Sequence, residues 1–413
     1  MRLSHRATSL KPSSTIAVMN RAKALKAQGI DVLNFSAGEP DFPSPEKAKL
    51  AAIEAIRTDQ TKYVETAGDA VTRDLIARLM VEENNIPGIT RDHLIITTGV
   101  KMALYLCFQT LFDAGEEQEL ILPSPSWVSF GPMSQLAGAK VVELPTSPAS
   151  NFKITPEQLR KAINPRSRVL LMNSPSNPCS TMYTPDELHA IADVVAEAAR
   201  TVAPELVIVA DELYHNIVFG DVPFMSIGSI PSVAERTVTI DGPGKSFAMT
   251  GWRLGWAAMP GDFGKSLIGA MTKLQGQTTT CVTTFTLPAL RVAMTECRAD
   301  LEKMRTAFAR RAELIFGLLG KIPGVQVAKP VGAFYVFPDI SAYLGKSSPG
   351  GRKLNGAADF AAALLDEKQM AVVPGEDFSA SMGHKHIRMS FACSDDQIRE
   401  GCKRLADFCA SLR

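Results

Sequence analysis

The stretch that decides the fold is Leu206-Val207-Ile208-Val209-Ala210, an uninterrupted apolar run that is followed at once by Asp211 and Glu212. A short run that is apolar on both faces is typical of a strand buried between helices, in a largely parallel sheet. An acidic side chain at the end of such a strand is costly to bury unless a cation lies near it. The stretch therefore predicts a buried strand with a polar site at its carboxyl end.

Similar runs occur on both sides of this stretch and alternate with helix signals. The helix starts at Thr155-Pro156-Glu157-Gln158 and Thr184-Pro185-Asp186-Glu187 place Thr at the cap and Pro at the first helical position. Alternating strands and helices predict an α/β fold with a mostly parallel sheet sandwiched by helices. The other predicted strands are Leu94–Ile96, Glu119–Leu122, Lys140–Leu144, Val169–Met172 and Thr237–Ile240.

The pattern changes after about residue 298. A long amphipathic helix is followed by a predicted strand at Gly332–Pro338 and by a final capped helix, which indicates a smaller α+β domain. We expect a large domain of residues 46–297 and a small domain made of residues 1–45 and 298–413. A cleft between two domains is a usual place for a small-molecule site.

The composition excludes several classes of partner. The 44 basic and 43 acidic residues give a net charge of +1, which favours neither nucleic acid nor an anionic membrane surface. No apolar run approaches the ~20 residues of a membrane span, and Met1–Arg6 lacks the apolar stretch of a secretory signal. The seven cysteines are dispersed and do not cluster with the six histidines, so we expect buried thiols and no metal site. These features predict a cytoplasmic protein.

Polar segments follow four of the predicted strands, at the edge where parallel sheets bind ligands. A Gly turn at Gly99-Val100-Lys101 opens a helix, as in many anion sites. Asn173–Pro178 is a polar turn, Asp211–Tyr214 brings an acid near a tyrosine, and Gly242–Phe247 places Lys245 among small residues. Taken singly, three of these segments are more typical of a plain turn, a loop and a surface lysine, and Asp211–Tyr214 is equally typical of a helix cap.

The combination of these segments is more specific than any one of them. Together they supply an anion holder, partners for a ring nitrogen and a phenolic oxygen, and an amine, which is the set that pyridoxal phosphate (PLP) requires. Gly244-Lys245-Ser246 and Gly264-Lys265-Ser266 are not P-loops, because Thr239 and Met259 stand where that motif needs glycine. No Gly-x-Gly-x-x-Gly follows a strand, which disfavours a dinucleotide-dependent oxidoreductase.

Five motifs carry a family resemblance that runs from about Lys11 to the C-terminus. They are Ser36–Phe42, Asn173–Pro178, Asp211–Tyr214, Lys245–Gly255 and Val372–Gly375. With these motifs in this order, the sequence resembles the class I/II aminotransferases, in particular the bacterial aspartate aminotransferase branch that includes prephenate aminotransferases. The resemblance implies the fold of the PLP-dependent transferases, the cofactor PLP, and a homodimer with shared active sites.

The resemblance also assigns cofactor contacts. It implies that Lys245 holds PLP as a Schiff base and shuttles a proton, with Asp211 paired to the pyridine nitrogen. It implies further contacts from Asn177 and Tyr214 to the phenolic oxygen, from Trp127 to the ring, from Arg253 and the Gly99-Val100-Lys101 turn to the phosphate, and from Tyr63 to the phosphate of the neighbouring subunit.

Substrate contacts follow from the same resemblance. Arg388 would bind the α-carboxylate, with Trp127 and Asn177 beside it and Gly38 in a segment that closes over the substrate. Lys101, with Thr15 as a second contact, would bind a distal carboxylate, which predicts transamination between aspartate and 2-oxoglutarate to give oxaloacetate and glutamate.

Several alternatives stay open. A prephenate, aromatic or alanine aminotransferase would use the same scaffold, and so would a carbon–sulfur lyase, which we consider less favoured. An aminotransferase-like ligand sensor of a transcription regulator would need a DNA-binding domain ahead of Gly38, where the sequence offers fewer than 40 residues.

Three positions depart from the family pattern. Ser180 replaces a turn glycine, and Gly242 replaces a hydroxyl residue that helps to bind the phosphate. We expect the second change to remove one hydrogen bond, which costs about 1.5–3 kcal/mol for a charged acceptor. The segment 278–285 also differs, which bears on the substrate preference.

Overall fold

A computed structural model describes residues 2–4, 7–8 and 14–413 of the chain. Its helices are α1 (Ser14–Ala27), α2 (Glu46–Arg57), α3 (Ala70–Glu82), α4 (Val100–Leu111), α5 (Phe130–Leu136), α6 (Pro156–Ala162), α7 (Pro185–Thr201), α8 (Pro243–Ser246), α9 (Gly261–Gly276), α10 (Thr286–Glu296), α11 (Arg298–Leu319), α12 (Ala357–Lys368) and α13 (Asp395–Ser411). Its strands are β1 (Leu33–Asn34), β2 (Leu94–Thr97), β3 (Glu119–Ser124), β4 (Lys140–Pro145), β5 (Ser167–Asn173), β6 (Val207–Asp211), β7 (Thr237–Asp241), β8 (Gly255–Ala258), β9 (Tyr335–Val336), β10 (Met370–Ala371), β11 (Val373–Pro374) and β12 (Ile387–Ser390).

The central sheet has seven strands in the order β2-β8-β7-β6-β5-β3-β4. The pairings among β7, β6, β5, β3 and β4 are parallel, whereas β8 runs antiparallel to both of its neighbours, β2 and β7. The six predicted strands are all present, and the predicted α/β fold is confirmed. Strand β8 was not predicted, because Gly255-Trp256-Ala257-Ala258 contains no β-branched residue and offers no alternation.

Helices cover both faces of this sheet because successive side chains of a strand point to opposite faces. In β6, Val207 and Val209 pack in one hydrophobic cluster with residues of α4, while Ile208 and Ala210 pack in another with residues of α7. The start of α7 has the predicted capping box. There, the Thr184 amide donates to Glu187 at 2.8 Å, and the Glu187 amide donates back to the Thr184 hydroxyl at 3.2 Å.

The C-terminal part forms smaller sheets. Strands β11, β12 and β9 form an antiparallel sheet in that order, and β1 pairs in parallel with β10. One large cluster holds residues of α11, α12 and α13 together with Phe334, Tyr335 and Phe391, all of which are buried. The predicted domain boundaries at residues 46 and 298 stay a prediction.

Within the part of the chain that the structure describes, no helix combines the length and the apolar character needed to cross a membrane.

Candidate active site

A cavity of about 380 Å³ lies where the carboxyl ends of β5 and β6 and the turn after β7 meet the strands β9 and β12. It gathers side chains that are far apart in the sequence. The predicted site residues that line it are Gly38, Val100, Lys101, Trp127, Asn177, Asp211, Tyr214, Lys245, Arg253 and Arg388.

Lys245 lies in the single turn of α8, directly after β7, so its amine enters the cavity from the edge of the sheet. Its Nζ donates a hydrogen bond to the carbonyl oxygen of Gly38. Burial lowers the pKa of Lys245 to about 8, with the Arg388 charge acting in the same direction and the Glu39 carboxylate opposing it. A larger fraction of the amine is therefore neutral near pH 7 than for an exposed lysine, as nucleophilic and base chemistry requires.

Asp211 is the last residue of β6, and only 5% of it is exposed. Burial raises the pKa of Asp211 to about 7, and the nearby Asp241 carboxylate adds to this effect. The Leu213 amide donates to Oδ1 at 3.3 Å. No side chain among the described residues forms an ion pair with this carboxylate, so a cationic group in the cavity would find a ready partner.

Tyr214 and Asn177 reach the cavity from the segments that follow β6 and β5. The Tyr214 hydroxyl lies 2.9 Å from the hydroxyl of Tyr335. The Asn177 side-chain oxygen accepts a hydrogen bond from Arg388 at 3.3 Å. The turn itself is fixed by Asn173, whose side-chain oxygen accepts from the Asn177 amide at 2.9 Å.

The N-terminus of α4 forms an anion site at the other end of the cavity. Gly99 precedes the helix with a φ of 84°, and Val100 and Lys101 begin its first turn. The Arg253 guanidinium lies so close to Gly99 that a Cβ there would come within 2.6 Å of Nη2. The positive φ favours glycine at position 99, and a side chain there would also require the Arg253 guanidinium to move. Free backbone N–H groups beside a guanidinium suit a phosphate group.

The packing around Gly242 explains why no hydroxyl residue stands there. A Cβ at this position would lie 2.8 Å from the Leu254 carbonyl oxygen and 3.0 Å from Cγ2 of Val100. The local packing leaves no room for a side chain without movement of the backbone.

Arg388 lies on β12 at the opposite wall, and only 2% of it is exposed. It donates to the carbonyl oxygen of Ser36 at 2.8 Å and lies 4.8 Å from the ring centroid of Tyr335. Its Nε has no hydrogen-bond partner within the described part of the chain. A buried guanidinium without a carboxylate of its own is suited to bind one from a ligand.

Lys101 is a further basic residue in the lining of the same cavity. It is exposed, and its Nζ lies 4.8 Å from the ring centroid of Trp127. The partial burial of its amine and the Arg253 charge lower its pKa. The Trp127 ring is in turn packed edge-on against Phe130, with 5.2 Å between the ring centroids.

Two predicted residues do not line the cavity, and the side chain of a third is not described. Gly99 lies behind Arg253, which it contacts. Tyr63 is 84% exposed and belongs to the surface of this chain. The side chain of Thr15 lies outside what the structure describes.

The sequence analysis missed Tyr335, Asn173 and the carbonyl oxygen of Ser36. Tyr335 and Asn173 line the cavity, and Ser36 accepts the Arg388 hydrogen bond. Tyr335 could have been noticed as the one hydroxyl-bearing residue in the apolar stretch Ala333–Phe337. The role of the Ser36 carbonyl leaves no trace in the sequence, since every residue has one.

These residues fit PLP. The cavity joins an anion site, a buried carboxylate without a cationic partner and an amine with a depressed pKa, and these suit the phosphate, the ring nitrogen and the aldehyde of this cofactor. The fold and the site thus define the class of PLP-dependent transferases. The family described as aminotransferase class I and II matches residues 30–405. The chain belongs to this family and is a PLP-dependent aminotransferase that acts on amino acids and 2-oxo acids.

Known proteins with similar sequences cover the whole chain. The aspartate/prephenate aminotransferase of Cereibacter sphaeroides is 39% identical over 98% of this chain and 97% of its own length. The aspartate aminotransferase of Geobacillus stearothermophilus is 38% identical, with 99% of each chain covered. Among solved structures, the aspartate aminotransferase from Rhizobium meliloti superimposes with a TM-score of 0.92 at 33% identity and covers 100% of both chains.

Proposed function

We propose that this aminotransferase transfers the amino group of aspartate to 2-oxoglutarate and so produces oxaloacetate and glutamate. The observation that carries the proposal is the presence of Lys101 in the same cavity as Arg388. Aspartate and 2-oxoglutarate both carry two carboxylates, and two separate cations can bind them at both ends. Similar proteins whose names include aspartate aminotransferase support this choice of substrate.

PLP, when bound, supplies an aldehyde for exchange of the amino group and a ring that withdraws electrons from the substrate's Cα. We propose that the α4 N-terminus and Arg253 hold its phosphate and that Asp211 faces its ring nitrogen. Asn177 and Tyr214 would face its phenolic oxygen, and Trp127 would pack on the ring. The cavity brings all of these side chains together.

Lys245 performs the proton work in this proposal. Its pKa of about 8 leaves a useful fraction of neutral amine near neutral pH. The Nζ atom would take the proton from Cα of the amino acid and deliver it to the cofactor's C4′ carbon, on the other side of the transferred nitrogen. Its hydrogen bond to the Gly38 carbonyl places the amine next to the Gly38 segment, which is predicted to close over the substrate.

Arg388 would orient the substrate for this transfer. Its planar guanidinium can bind the α-carboxylate with two parallel hydrogen bonds, which fixes both position and rotation. The existing bonds to Ser36 and Asn177 hold the guanidinium in place. Lys101 then decides between substrates by binding the distal carboxylate as a point charge.

The test of this proposal is the substitution Lys101→Gln in the PLP-loaded enzyme. We expect kcat/KM for aspartate to fall about 10- to 150-fold, as for loss of a charged hydrogen bond, with little change for alanine or phenylalanine. Lys140→Gln, at an exposed position of β4, is the control. It should leave kcat/KM unchanged for aspartate and for alanine or phenylalanine. An equal loss for all substrates would make Lys101 a phosphate contact only, and a wild-type preference for alanine or aromatic donors would refute the aspartate assignment.

A second candidate activity is transamination of prephenate. The names of two similar proteins, from Cereibacter sphaeroides and Aquifex aeolicus, include it. Prephenate is a 2-oxo acid with a second carboxylate, so the same two cations would serve. Amino transfer from aspartate or glutamate to prephenate, measured beside 2-oxoglutarate, decides whether this activity is present. Formation of pyruvate from a cysteine conjugate would instead indicate a carbon–sulfur lyase.

We propose in addition that two copies form a dimer in which Tyr63 reaches the cavity of the other copy. Tyr63 is 84% exposed, and α2 also exposes Leu50, Ile53 and Ile56, each by more than 40%. Mixing inactive Tyr63→Ala and Lys245→Ala chains tests this arrangement, because a shared site would restore activity in hybrid dimers. Recovery should be absent if each cavity is complete within one chain.

The arrangement of domains and the location in the cell are further parts of the proposal. We propose a large cofactor-binding domain of residues 46–297 and a small domain of residues 1–45 and 298–413 that closes over the substrate. A cytoplasmic location is favoured by the dispersed cysteines.

A further inference from the structure

Tyr335 lies at the centre of the cavity wall, although its sequence context suggested only a core strand. It is the first residue of β9, just 1% of it is exposed, and it packs in the large C-terminal cluster beside Phe334. Yet it also lines the cavity. A buried tyrosine that reaches a ligand cavity has one apolar face for packing and one polar tip for the ligand or its partners.

The hydroxyl of Tyr335 is paired with that of Tyr214. The two oxygens lie 2.9 Å apart, and either can be the donor. Two hydroxyls carry two protons but share a single mutual hydrogen bond. One O–H therefore stays available to donate into the cavity, whichever way the pair is arranged. The hydroxyl also faces the Gly38 segment, since a Cβ on Gly38 would lie 3.3 Å from the Tyr335 oxygen.

The ring of Tyr335 supports Arg388. The guanidinium carbon lies 4.8 Å from the ring centroid, which is a cation–π contact. Phe378 packs on the same guanidinium at 5.1 Å. An aromatic face holds the cation without using any N–H group, so the guanidinium keeps its donors for a carboxylate. Acidic partners would have occupied those donors.

The backbone of Tyr335 is tied to the loop that carries Asn177. The Tyr335 amide donates to the Ser180 hydroxyl oxygen at 2.9 Å, and the Val331 amide donates to the Ser180 carbonyl at the same distance. Ser180 has a φ of 55°, which lies in the left-handed region that favours glycine. Unlike glycine, it supplies an acceptor for the strand. The departure at position 180 thus has a structural use.

We propose that Tyr335 is a positioning residue that couples Arg388 to Tyr214, and that Ser180 fixes it in place. This inference rests on the proposed roles of Arg388 and Tyr214 and extends them. One side chain holds the carboxylate-binding guanidinium with its face and the Tyr214 hydroxyl with its tip. A substrate carboxylate that shifts Arg388 therefore also changes the hydrogen bond between Tyr335 and Tyr214. The substrate contact of Arg388 and this hydrogen bond are thus coupled.

The two functions of the side chain can be separated by substitution. Tyr335→Phe keeps the ring and removes the hydroxyl, whereas Tyr335→Leu removes both. The probe is maleate, a dicarboxylate without an amino group, and its affinity is measured by calorimetry with the apo and the PLP-loaded protein. A second measurement is the pH titration of the visible absorption band of the loaded protein. It follows the protonation of the nitrogen that joins Lys245 to the cofactor, and this nitrogen responds to hydrogen bonds at the neighbouring phenolic oxygen.

We expect Tyr335→Leu to weaken maleate binding roughly 2- to 30-fold in the apo and the loaded protein, which is the range of a desolvated cation–π contact. Tyr335→Phe should change maleate affinity less than Tyr335→Leu does, but should shift the midpoint of the visible pH titration. Ser180→Ala, which removes the acceptor for the Tyr335 amide, should weaken maleate binding less than Tyr335→Leu does.

The matched controls are Tyr343→Phe and Tyr343→Leu. Tyr343 is buried in the same cluster, and its hydroxyl bonds the Pro323 carbonyl away from the cavity. The coupling role would be overturned if substitutions at positions 335 and 343 changed maleate affinity equally. It would also be overturned if Tyr335→Phe left the midpoint of the visible pH titration unshifted. If Tyr335→Leu does not fold, the absorption midpoint of Tyr335→Phe and the maleate affinity of Ser180→Ala still test the proposal.

Arg388→Lys separates this inference from the function on which it rests. Failure of that variant to weaken maleate binding would refute the proposed role of Arg388 itself. If Arg388→Lys weakens binding and Tyr335→Leu does not, only the inference about Tyr335 fails.

Discussion

Two walls of the cavity differ in how they are built and in what they offer to a ligand. The sheet wall consists of Asn177, Asp211 and Lys245, and each follows a parallel strand of the central sheet. The arginine wall consists of Arg388 and Tyr335, on neighbouring antiparallel strands. The sheet wall holds a buried acid and a desolvated amine, whose pKa values are moved towards neutrality from opposite sides.

The arginine wall has a buried cation and no acid of its own. Its guanidinium is held by carbonyl and amide oxygens and by aromatic faces. In the proposed function, bond chemistry and substrate recognition therefore occupy separate walls of this cavity. Groups that exchange protons need tuned pKa values, whereas a group that binds a carboxylate needs unused donors.

The largest effect should come from the sheet wall, at Lys245. We expect Lys245→Ala to lower kcat by at least about 10⁴-fold, the upper range for a general acid–base residue. The control is Lys265→Ala, because Gly264-Lys265-Ser266 repeats the local sequence of Gly244-Lys245-Ser246 but lies exposed in α9. Steady-state assays with both variants check this. Comparable losses would mean that the position at the strand end carries no special chemistry.

Asp211→Asn should have the next largest effect. The proposed partner of Asp211 is the ring nitrogen of bound PLP. Removing one partner of a buried charge pair costs about 2–5 kcal/mol, so kcat/KM should fall roughly 30- to 4,000-fold. The asparagine keeps the size of the side chain and loses the charge. Glu119→Gln, buried at the opposite end of the sheet and paired with Arg166, should leave kcat/KM unchanged. An active Asp211→Asn enzyme would separate this carboxylate from the chemistry.

The same variant should also change the pH dependence of stability of the apo protein. The pKa of Asp211 is raised from 3.8 to about 7, so its contribution to stability is fully present below pH 3.8 and is lost as the pH rises through about 7. Asp211→Asn removes this loss. Urea unfolding at both ends of that window should show the variant gaining stability over the wild type towards alkaline pH. A constant difference would contradict the assigned burial effect.

On the arginine wall, Arg388→Lys should raise KM more than it lowers kcat. The charge remains, but the two parallel hydrogen bonds to a carboxylate are lost, which costs about 1.5–3 kcal/mol or roughly 10- to 150-fold in kcat/KM. Arg236→Lys is the control, since Arg236 donates to the Leu206 carbonyl before β6, away from the cavity. A loss of kcat at unchanged KM would indicate that Arg388 takes part in the chemical step. The two walls would then no longer differ in function.

The smallest effect concerns the phosphate end. We expect Gly242→Ser to destabilise the protein by about 1–3 kcal/mol, because its Cβ would crowd the Leu254 carbonyl and Val100. Thermal unfolding of apo and PLP-loaded protein measures this. In the control Gly269→Ser, the new Cβ meets nothing within 4 Å. A Gly242→Ser protein that binds PLP more tightly would show that the serine is accommodated and restores a phosphate contact.

The two walls were not equally accessible to prediction. The sheet wall followed from one rule, because each of its residues lies in the polar segment after an apolar run and the carboxyl ends of parallel strands meet at one edge. The arginine wall obeys no such rule. Arg388 was identified only through the family resemblance, and Tyr335 was missed, because an alternating antiparallel strand does not reveal which neighbour its polar residue will face.

Strand β8 and Ser180 show the same limit. Gly255–Ala258 contains one residue that favours a strand, Trp256, and no β-branched residue, and it is a strand because β2 and β7 pair with it on both sides. Ser180 stands in place of a turn glycine, and only the structure shows that it adopts a φ of 55° and provides an acceptor for Tyr335.

The sequence by itself determined the alternation of strands and helices, the polar residues at the strand ends and hence the class of cofactor, because hydrophobic period and strand-end chemistry are local properties. Only the tertiary structure decided which groups stay unpaired inside the cavity. Among the described residues, the unpaired Nε of Arg388, the Asp211 carboxylate without an ion-pair partner and the Tyr214–Tyr335 pair depend on segments more than 100 residues apart that pack against one another. Burial and distance, which set pKa values and hydrogen bonds, exist only once those segments have met.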